Sequence, residues 1–254
     1  MAFESKNMNY VFNVEYFENI ETLLNDAGNE IKKRNRCVEN FSFPQEDMFE
    51  SLGDLPLADG HEYCFFSLYT QYPGLLVGIG NSHDAKLEEA IKCGFNFDYV
   101  TGIPYIPGSS LKGMLRSFFP GDAKDPNISK EYDSYIRELL GEEGELDVLK
   151  LKNNIFEGND IFLDAFPDMR RIREGIMKMD YITPHEKFKE PNPISIIKVK
   201  PKVPFIFSFL LTDYTIDEKT IINKQEKLTL FEKLILDMGI GAKTNVGFGK
   251  FAKN

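Results

Sequence analysis

The stretch TGIPYIPGSSLKGMLRSFF, residues 101–119, decides how the rest of the chain is read. Pro104 and Pro107 fix φ and hold the residues before them extended, which predicts a strand or taut loop over 102–108. Leu111, Met114, Leu115, Phe118 and Phe119 then fall at i, i+3, i+4, i+7 and i+8, the apolar stripe of a short helix over 109–119. Ser109 or Ser110 is placed to cap its start, and Pro120 with Gly121 ends it. On the opposite face Ser109, Lys112, Gly113 and Arg116 recur at helical spacing and stand in one row. A helix N-terminus offers free N–H groups. Two hydroxyls, two cations and a residue without a side chain complete a surface suited to a polyanion. The plainer reading of the same row is a solvated helix face with an ordinary cap.

Outward from that stretch, 254 residues with 42% hydrophobic content suffice for one sizeable core. The N-terminus has no basic region followed by an apolar run, and no 18 apolar residues occur in succession. Neither a signal peptide nor a membrane span is expected, and a cytoplasmic location is. Cys37, Cys64 and Cys93 are widely spaced with no CxxC, so they read as buried thiols rather than a zinc site or a disulfide framework. The net charge of −10 is awkward for a nucleic-acid binder, but it is unevenly spread. Residues 191–254 hold ten lysines against six acidic residues, a local balance of +4 that leaves −14 on the rest. An acidic body with a basic C-terminal region can bind RNA along one face.

A helix is predicted over 14–36, with Lys32, Lys33, Arg34 and Arg36 complementing its C-terminal dipole, and a loop or short helix over 47–60. Aromatic and β-branched residues make 62–72 a strand stopped by Pro73 and Gly74. Gly78-Ile79-Gly80 lacks the third glycine of a dinucleotide fingerprint. His83 and Asp84 are candidates for acid–base or metal chemistry, read more simply as a surface loop pair. Residues 121–152 look like an insertion with a helix over 130–140 and an acidic turn. A strand over 159–166 carries Asp164, either a catalytic carboxylate or a hydrogen-bonded structural one. Arg170, Arg171 and Arg173 belong to an exposed loop or ribbon. Residues 195–212 read as a strand, a break and a second strand over 203–211. There Phe205, Phe207 and Phe209 share one face, for core packing in preference to base stacking. A helix over 223–238, with Leu228, Phe231, Leu234, Ile235 and Met238 as its buried stripe, covers that face.

GIGAKTNVGFGKF, 239–251, follows, with glycines that free the backbone for positive φ around Lys243 and Thr244, and a closing strand over 247–252. Its likeness to a phosphate-binding P-loop is false, because that loop joins a strand to a following helix. The element order is βαββαβ. An α+β, ferredoxin-like (RRM-like) core with inserted segments is expected, in one decorated domain over 61–254 behind an N-terminal helical extension over 1–60.

PGSSLKGMLR resembles the signature of the RAMP proteins, subunits of CRISPR effector complexes, and GIGAKTNVGFG resembles their glycine-rich C-terminal loop. IFLDAFP, DYITPHEKF and PNPISIIKV narrow the resemblance to the sixth-subunit family of the Cmr (type III-B) effector, although Glu186, Lys187 and Phe188 stand where that family has a fuller aromatic run. The resemblance implies a non-catalytic RNA-binding scaffold that grips guide RNA near its 3′ part, meets target RNA and neighbouring RAMP subunits, and uses no membrane, metal or small-molecule cofactor. The RNA-binding residues would be Ser109, Ser110, Lys112, Gly113, Arg116, Gly241, Lys243, Thr244 and His185. The alternative is an RRM-like endoribonuclease using His185 or His83, or a target-cleaving subunit using Asp84 or Asp164.

Overall fold

Glu62–Thr70 and Pro204–Leu211 pair antiparallel over eight positions, from Glu62 opposite Leu211 to Tyr69 opposite Pro204, and the rest of the fold is laid on this pair. The computed structural model describes residues 3–19, 27–45, 57, 60–78, 89–92, 95–121, 125–141, 146–183 and 193–254. In chain order the elements are α1 (Met8–Tyr10) running into a π-helical turn (Val11–Glu15), α2 (Ala27–Glu39), β1 (Glu62–Thr70), α3 (Gly108–Arg116), α4 (Pro126–Leu140) and α5 (Val148–Asn154). Next come β2 (Ile161–Phe162), β3 (Phe166–Pro167), β4 (Met177–Ile182), β5 (Ile194–Val199), β6 (Pro204–Leu211), β7 (Tyr214–Ile216), β8 (Lys219–Ile222), α6 (Lys224–Met238) and β9 (Phe251–Ala252).

The main sheet runs β2–β6–β1–β9, with β3 also on β6; β4–β5 and β7–β8 are separate hairpins. β2 and β3 are one strand broken by a bulge. Phe162 opposes Phe209 and Phe166 opposes Ile206, so three residues, 163–165, face two. Ala165 turns away from β6 and exchanges both backbone hydrogen bonds with Ile106, each 2.9 Å. The strand expected over 159–166 is thus shorter in its ladder and interrupted at Asp164.

Alternation assigns the sheet's faces. Cys64, Leu68, Phe205, Phe207, Phe209 and Leu211 are buried on one face. Phe231 of α6 meets Phe209 and Phe162 there at ring separations of 5.2 and 5.5 Å. The three alternating phenylalanines are therefore core. The helix over them is turned slightly from the expected stripe: Lys227 and Leu230 are buried with Phe231, Leu234 and Ile235, while Leu228 is only partly so.

The inserted region holds more helix than expected. Asp125 caps α4 at Asn127 N–H, Pro126 fills the first helical position and Gly141 ends the helix in the left-handed region. Tyr135 donates to Asp237 Oδ2 at 2.7 Å, docking α4 on α6.

Of the helix expected over 14–36, the described residues show the end of the π-helical turn, a turn over 16–19 and α2, while 20–26 lie outside the described residues. Arg34, expected to serve its own helix end, is buried, and its Nη1 donates to the carbonyl oxygens of Glu15, Tyr16 and Glu18. It satisfies the C-terminal acceptors of the preceding helical segment instead. Met8, Val11, Phe12 and Tyr16 enter the same apolar cluster as the sheet. Cys64 is buried and Cys37 half-buried, whereas Cys93 and most of 47–60 lie outside the described residues. Among the described residues no helix is long and apolar enough to cross a membrane.

Candidate functional site

α3 begins at Gly108, one residue earlier than its serines suggest, with Pro107 at the cap position and no side-chain cap. The N–H of Gly108 donates instead to Asp164 Oδ1 at 2.7 Å. A Cβ at 108 would stand 2.2 Å from the carbonyl oxygen of Phe162, so only glycine lets the helix start press on the bulged strand. This corrects the expected cap: Ser109 and Ser110 lie inside the first turn, exposed, with backbone N–H groups that have no helical acceptor. Asp164 therefore has a structural partner. The helix also ends at Arg116, short of Phe119, because Ser117 hydroxyl and N–H groups turn back onto the last carbonyls.

The two sides of α3 face different surroundings. Ser110, Met114 and Ser117 line a groove of about 400 Å³ whose far wall is the glycine-rich loop, including Gly239, Gly241, Ala242 and Thr244. Ser109 and Lys112 line a second groove, about 420 Å³, shared with Glu157, Gly158, Asp160 and Phe162. Lys112 Nζ stands 5.8 Å from the centre of the Phe162 ring, and Arg116 Nη2 lies 3.4 Å from Glu157 Oε1. Around Gly113 a Cβ would meet nothing within 4 Å. The expected row of Ser109, Lys112, Gly113 and Arg116 is thus real as a row, but at roughly 100° of turn per residue it stands on the flank next to the side that looks across at the loop, which carries Ser110, Met114 and Ser117. A half-exposed pair such as Arg116 with Glu157 contributes little to stability.

The glycine-rich loop takes its shape from contacts that exclude side chains. Gly241 has φ +100°, and a Cβ there would fall 2.4 Å from the carbonyl oxygen of Leu76; at Gly249, φ +68°, it would fall 1.9 Å from that of Ile240. The neighbouring backbone closes the loop, with Ala242 N–H donating to Leu76 O and Gly249 N–H to Gly74 O, each at 2.8 Å. Lys243 itself is left-handed, φ +58°, and leads a 3₁₀ turn over Thr244–Val246 with its side chain exposed. These turns consume the residues expected to form a strand over 247–252, so β9 keeps only Phe251–Ala252. Phe248 is pinned from below by Lys198, whose Nζ lies 5.5 Å from the ring centre and pairs with Asp180.

The structure therefore brings together Ser110, Gly241 and Thr244, and sets Ser109, Lys112 and Arg116 beside them on the adjoining face. His185, His83 and Asp84 lie outside the described residues. Arg170 is tied to Asp168 at 2.8 Å, and Arg171 covers the Tyr69 ring at 5.1 Å. Ser117 and Asn96, which also line the first groove, went unread in the sequence. For Ser117 the signal was present, since it follows Ser110 by seven residues and shares its side of the helix.

A sequence model of the RAMP superfamily matches residues 67–252. The chain is 29% identical over 182 residues to the CRISPR system CMR subunit Cmr6 of Saccharolobus solfataricus, covering 69% of this chain and 53% of that protein. It is 25% identical over 233 residues to the CRISPR system Cmr subunit Cmr6 of Pyrococcus furiosus, covering 70% of this chain and 65% of that one. The match spans less than two thirds of either relative's length. Among solved structures, a chain in the cryo-EM structure of the type III-B Cmr-beta bound to cognate target RNA aligns with a TM-score of 0.60 at 20% identity, covering 99% of this chain and 76% of that one. That likeness is one of fold.

Proposed function

Because the chain belongs to the RAMP superfamily, and its curated relatives are named as Cmr6 subunits of the CRISPR system Cmr, we propose that it is a non-catalytic RNA-binding scaffold subunit of a type III-B CRISPR (Cmr) ribonucleoprotein. The observation that carries this reading is the groove in which the first turn of α3, at Ser110, faces Gly241 and Thr244 of the glycine-rich loop. The N–H groups and hydroxyls of Ser109 and Ser110, next to the Gly108 N–H that Asp164 takes, and a loop backbone bare of side chains suit phosphate and ribose, with Lys112 and Arg116 on one flank and Lys243 on the loop supplying charge. Such a surface grips a strand without reading its bases, as a subunit serving any guide sequence requires.

The core is of the ferredoxin-like, RRM-like type. Its support is the βαββαβ succession of β1, α3, the bulged β2/β3 strand, β6, α6 and β9, in the sheet order β2/β3–β6–β1–β9. Residues 61–254 form one decorated domain and 1–60 an N-terminal extension. The subunit works in the cytoplasm, holds guide RNA near its 3′ part and contacts sister RAMP subunits and target RNA.

The test is RNA retention by the full chain carrying Lys112→Glu or Lys243→Glu. Affinity for single-stranded RNA is expected to fall alike for unrelated sequences, and loss confined to particular sequences contradicts a backbone grip. The same protein incubated with repeat RNA, with and without Mg²⁺, is expected to leave it intact. Cleavage abolished by His185→Ala overturns the scaffold reading.

A further inference from the structure

We infer that Tyr72 is a base-stacking residue on the turn that packs against the glycine-rich loop of the proposed RNA surface, an inference that rests on the RNA-binding reading above and adds to it an exposed aromatic ring able to hold a base. Tyr72 is 85% exposed, at the turn that follows β1. That turn is built onto the glycine-rich loop. Gln71 N–H donates to Lys250 O and Gly249 N–H to Gly74 O, both at 2.8 Å, and Pro73 Cδ lies 3.4 Å from the place where a Gly247 side chain would begin. Lys243 is on the same tight turn as Gly247, through Val246 N–H to Lys243 O and Gly247 N–H to Thr244 O, each 3.1 Å. From the other side, Lys202 N–H donates to Thr70 O at 2.7 Å.

Three segments thus meet at Tyr72: 70–74, 200–203 and 243–250. Together they contain four lysines and no carboxylate, in a chain whose net charge is −10. Lys200 and Lys250 spend their ammonium groups on the carbonyl oxygens of Gly175 and Asp237. Lys202 and Lys243 are exposed and form no ion pair among the described residues. An aromatic ring open on its surface, on segments that carry lysines and no carboxylate, offers the two things a single strand needs: a π face for a base and charge for the phosphates beside it. A protein partner seeking an apolar patch would find only Tyr72 and the 63%-exposed Val246 within this basic rim. Because the turn is tied at both ends, seating a base costs little ordering.

The experiment uses the purified full chain and two fluorescently labelled probes of equal length, single-stranded oligouridine and the same ribose–phosphate chain made abasic. Tyr72→Ala is expected to weaken oligouridine binding about tenfold, to leave abasic RNA unaffected, and to be rescued by Tyr72→Trp. Tyr99, 86% exposed on a turn that contains Asp98 and no lysine, is the control: Tyr99→Ala is expected to change neither affinity. Equal affinities for wild type and Tyr72→Ala, or equal losses on both probes, overturn the stacking role. If Lys243→Glu weakens both probes while Tyr72→Ala weakens neither, stacking alone fails and the backbone grip stands. If Tyr72→Ala shows its base-dependent loss while Lys112→Glu and Lys243→Glu bind normally, stacking stands and the proposed grip fails.

Discussion

Removing the counter-charge of Lys227 is expected to destabilise the protein more than any surface substitution. The side chains of Lys227 and Asp160 are both 0% exposed, with Nζ 2.7 Å from Oδ2. Lys227 also donates to Asn154 Oδ1 at 2.8 Å, and Asp160 Oδ1 accepts from the N–H and hydroxyl of Thr212 at 2.9 and 3.1 Å. One ion pair therefore ties α6 to the end of α5, to the residue just before β2 and to the residue just after β6. Asp160→Asn keeps the volume and an acceptor for Thr212 but strands an ammonium in the core, a loss of about 3–5 kcal/mol. Adding Lys227→Met removes the stranded charge, and the double variant is expected to recover most of that loss, because replacing a whole buried pair is close to neutral. Protonation supplies a second signature. Burial holds Lys227 below the usual amine range, against the opposing hydrogen bond and charge of Asp160. In Asp160→Asn that opposition is gone. A folded pKa below the unfolded one means that the unfolded chain binds more protons between the two, so stability rises with pH across that window. The single variant's deficit should shrink from neutral to alkaline pH, below the ordinary amine pKa of 10.5, and the double variant's should not. Guanidinium unfolding with linear extrapolation at a neutral and an alkaline pH measures this. A single-variant cost under about 1 kcal/mol, or a double variant as unstable as the sum of the two singles, refutes the reasoning.

Asp180 predicts the acid limb: burial pulls its carboxyl up, but the Lys198 hydrogen bond, the Tyr181 N–H and the charges of Lys198 and Lys178 hold it below its ordinary 3.8. Its contribution is present above that value and lost as pH falls through the lower folded pKa, so the gap in urea midpoint between wild type and Asp180→Asn should close on acidification. Tyr16, whose phenol is pushed up to about 12 chiefly by burial, donates to Asn35 Oδ1 at 2.6 Å and accepts from Ile91 N–H at 3.1 Å. Tyr16→Phe removes both of these hydrogen bonds from a buried site and is expected to cost about 1–3 kcal/mol in denaturant titration. Gly113→Ala meets nothing and relieves a glycine in a helix, so it should stabilise by about 0.5–1 kcal/mol. The same variant should weaken RNA binding if a strand runs against that bare backbone, and unchanged affinity removes Gly113 from the interface.

What the sequence made legible follows from how each signal is encoded. The 3.6-residue apolar stripe of 111–115 and the alternation of Phe205, Phe207 and Phe209 are repeated several times over, so α3, β6 and the face they share were readable with boundaries good to a few residues. Caps are single-residue signals, and there a longer-range competitor won. The serines of α3 lost the cap position because Asp164, far away in sequence, reaches Gly108 first. The buried lysines were illegible by type, since lysine reads as surface. Yet Lys227 sits on the stripe of Leu230, Phe231, Leu234 and Ile235, and its position carried the information that its chemistry hid. The β4–β5 hairpin's grip on Phe248 through Lys198 had no local signature, because it joins segments that only the fold brings together.

The charge distribution explains why an acidic chain can still hold a polyanion. Where lysines are needed for structure they are consumed: Lys227 by Asp160, Lys198 by Asp180, and Lys152 by the carbonyl oxygen of Pro120 at the end of the α3 segment. Those left exposed beside the glycine-rich loop, Lys202 and Lys243, sit on turns without carboxylates, while of the acidic side chains around α3 Glu157 is engaged by Arg116, Asp160 by Lys227 and Asp164 by the Gly108 N–H. At physiological ionic strength fields fade over about 8 Å, so the acidic residues beyond that reach weigh less on a phosphate in the groove than the charges beside it. The net charge then governs approach more than grip. Raising salt should weaken binding through the local lysines while easing long-range repulsion, giving a shallower slope of log affinity against log salt than the number of phosphate contacts alone would produce.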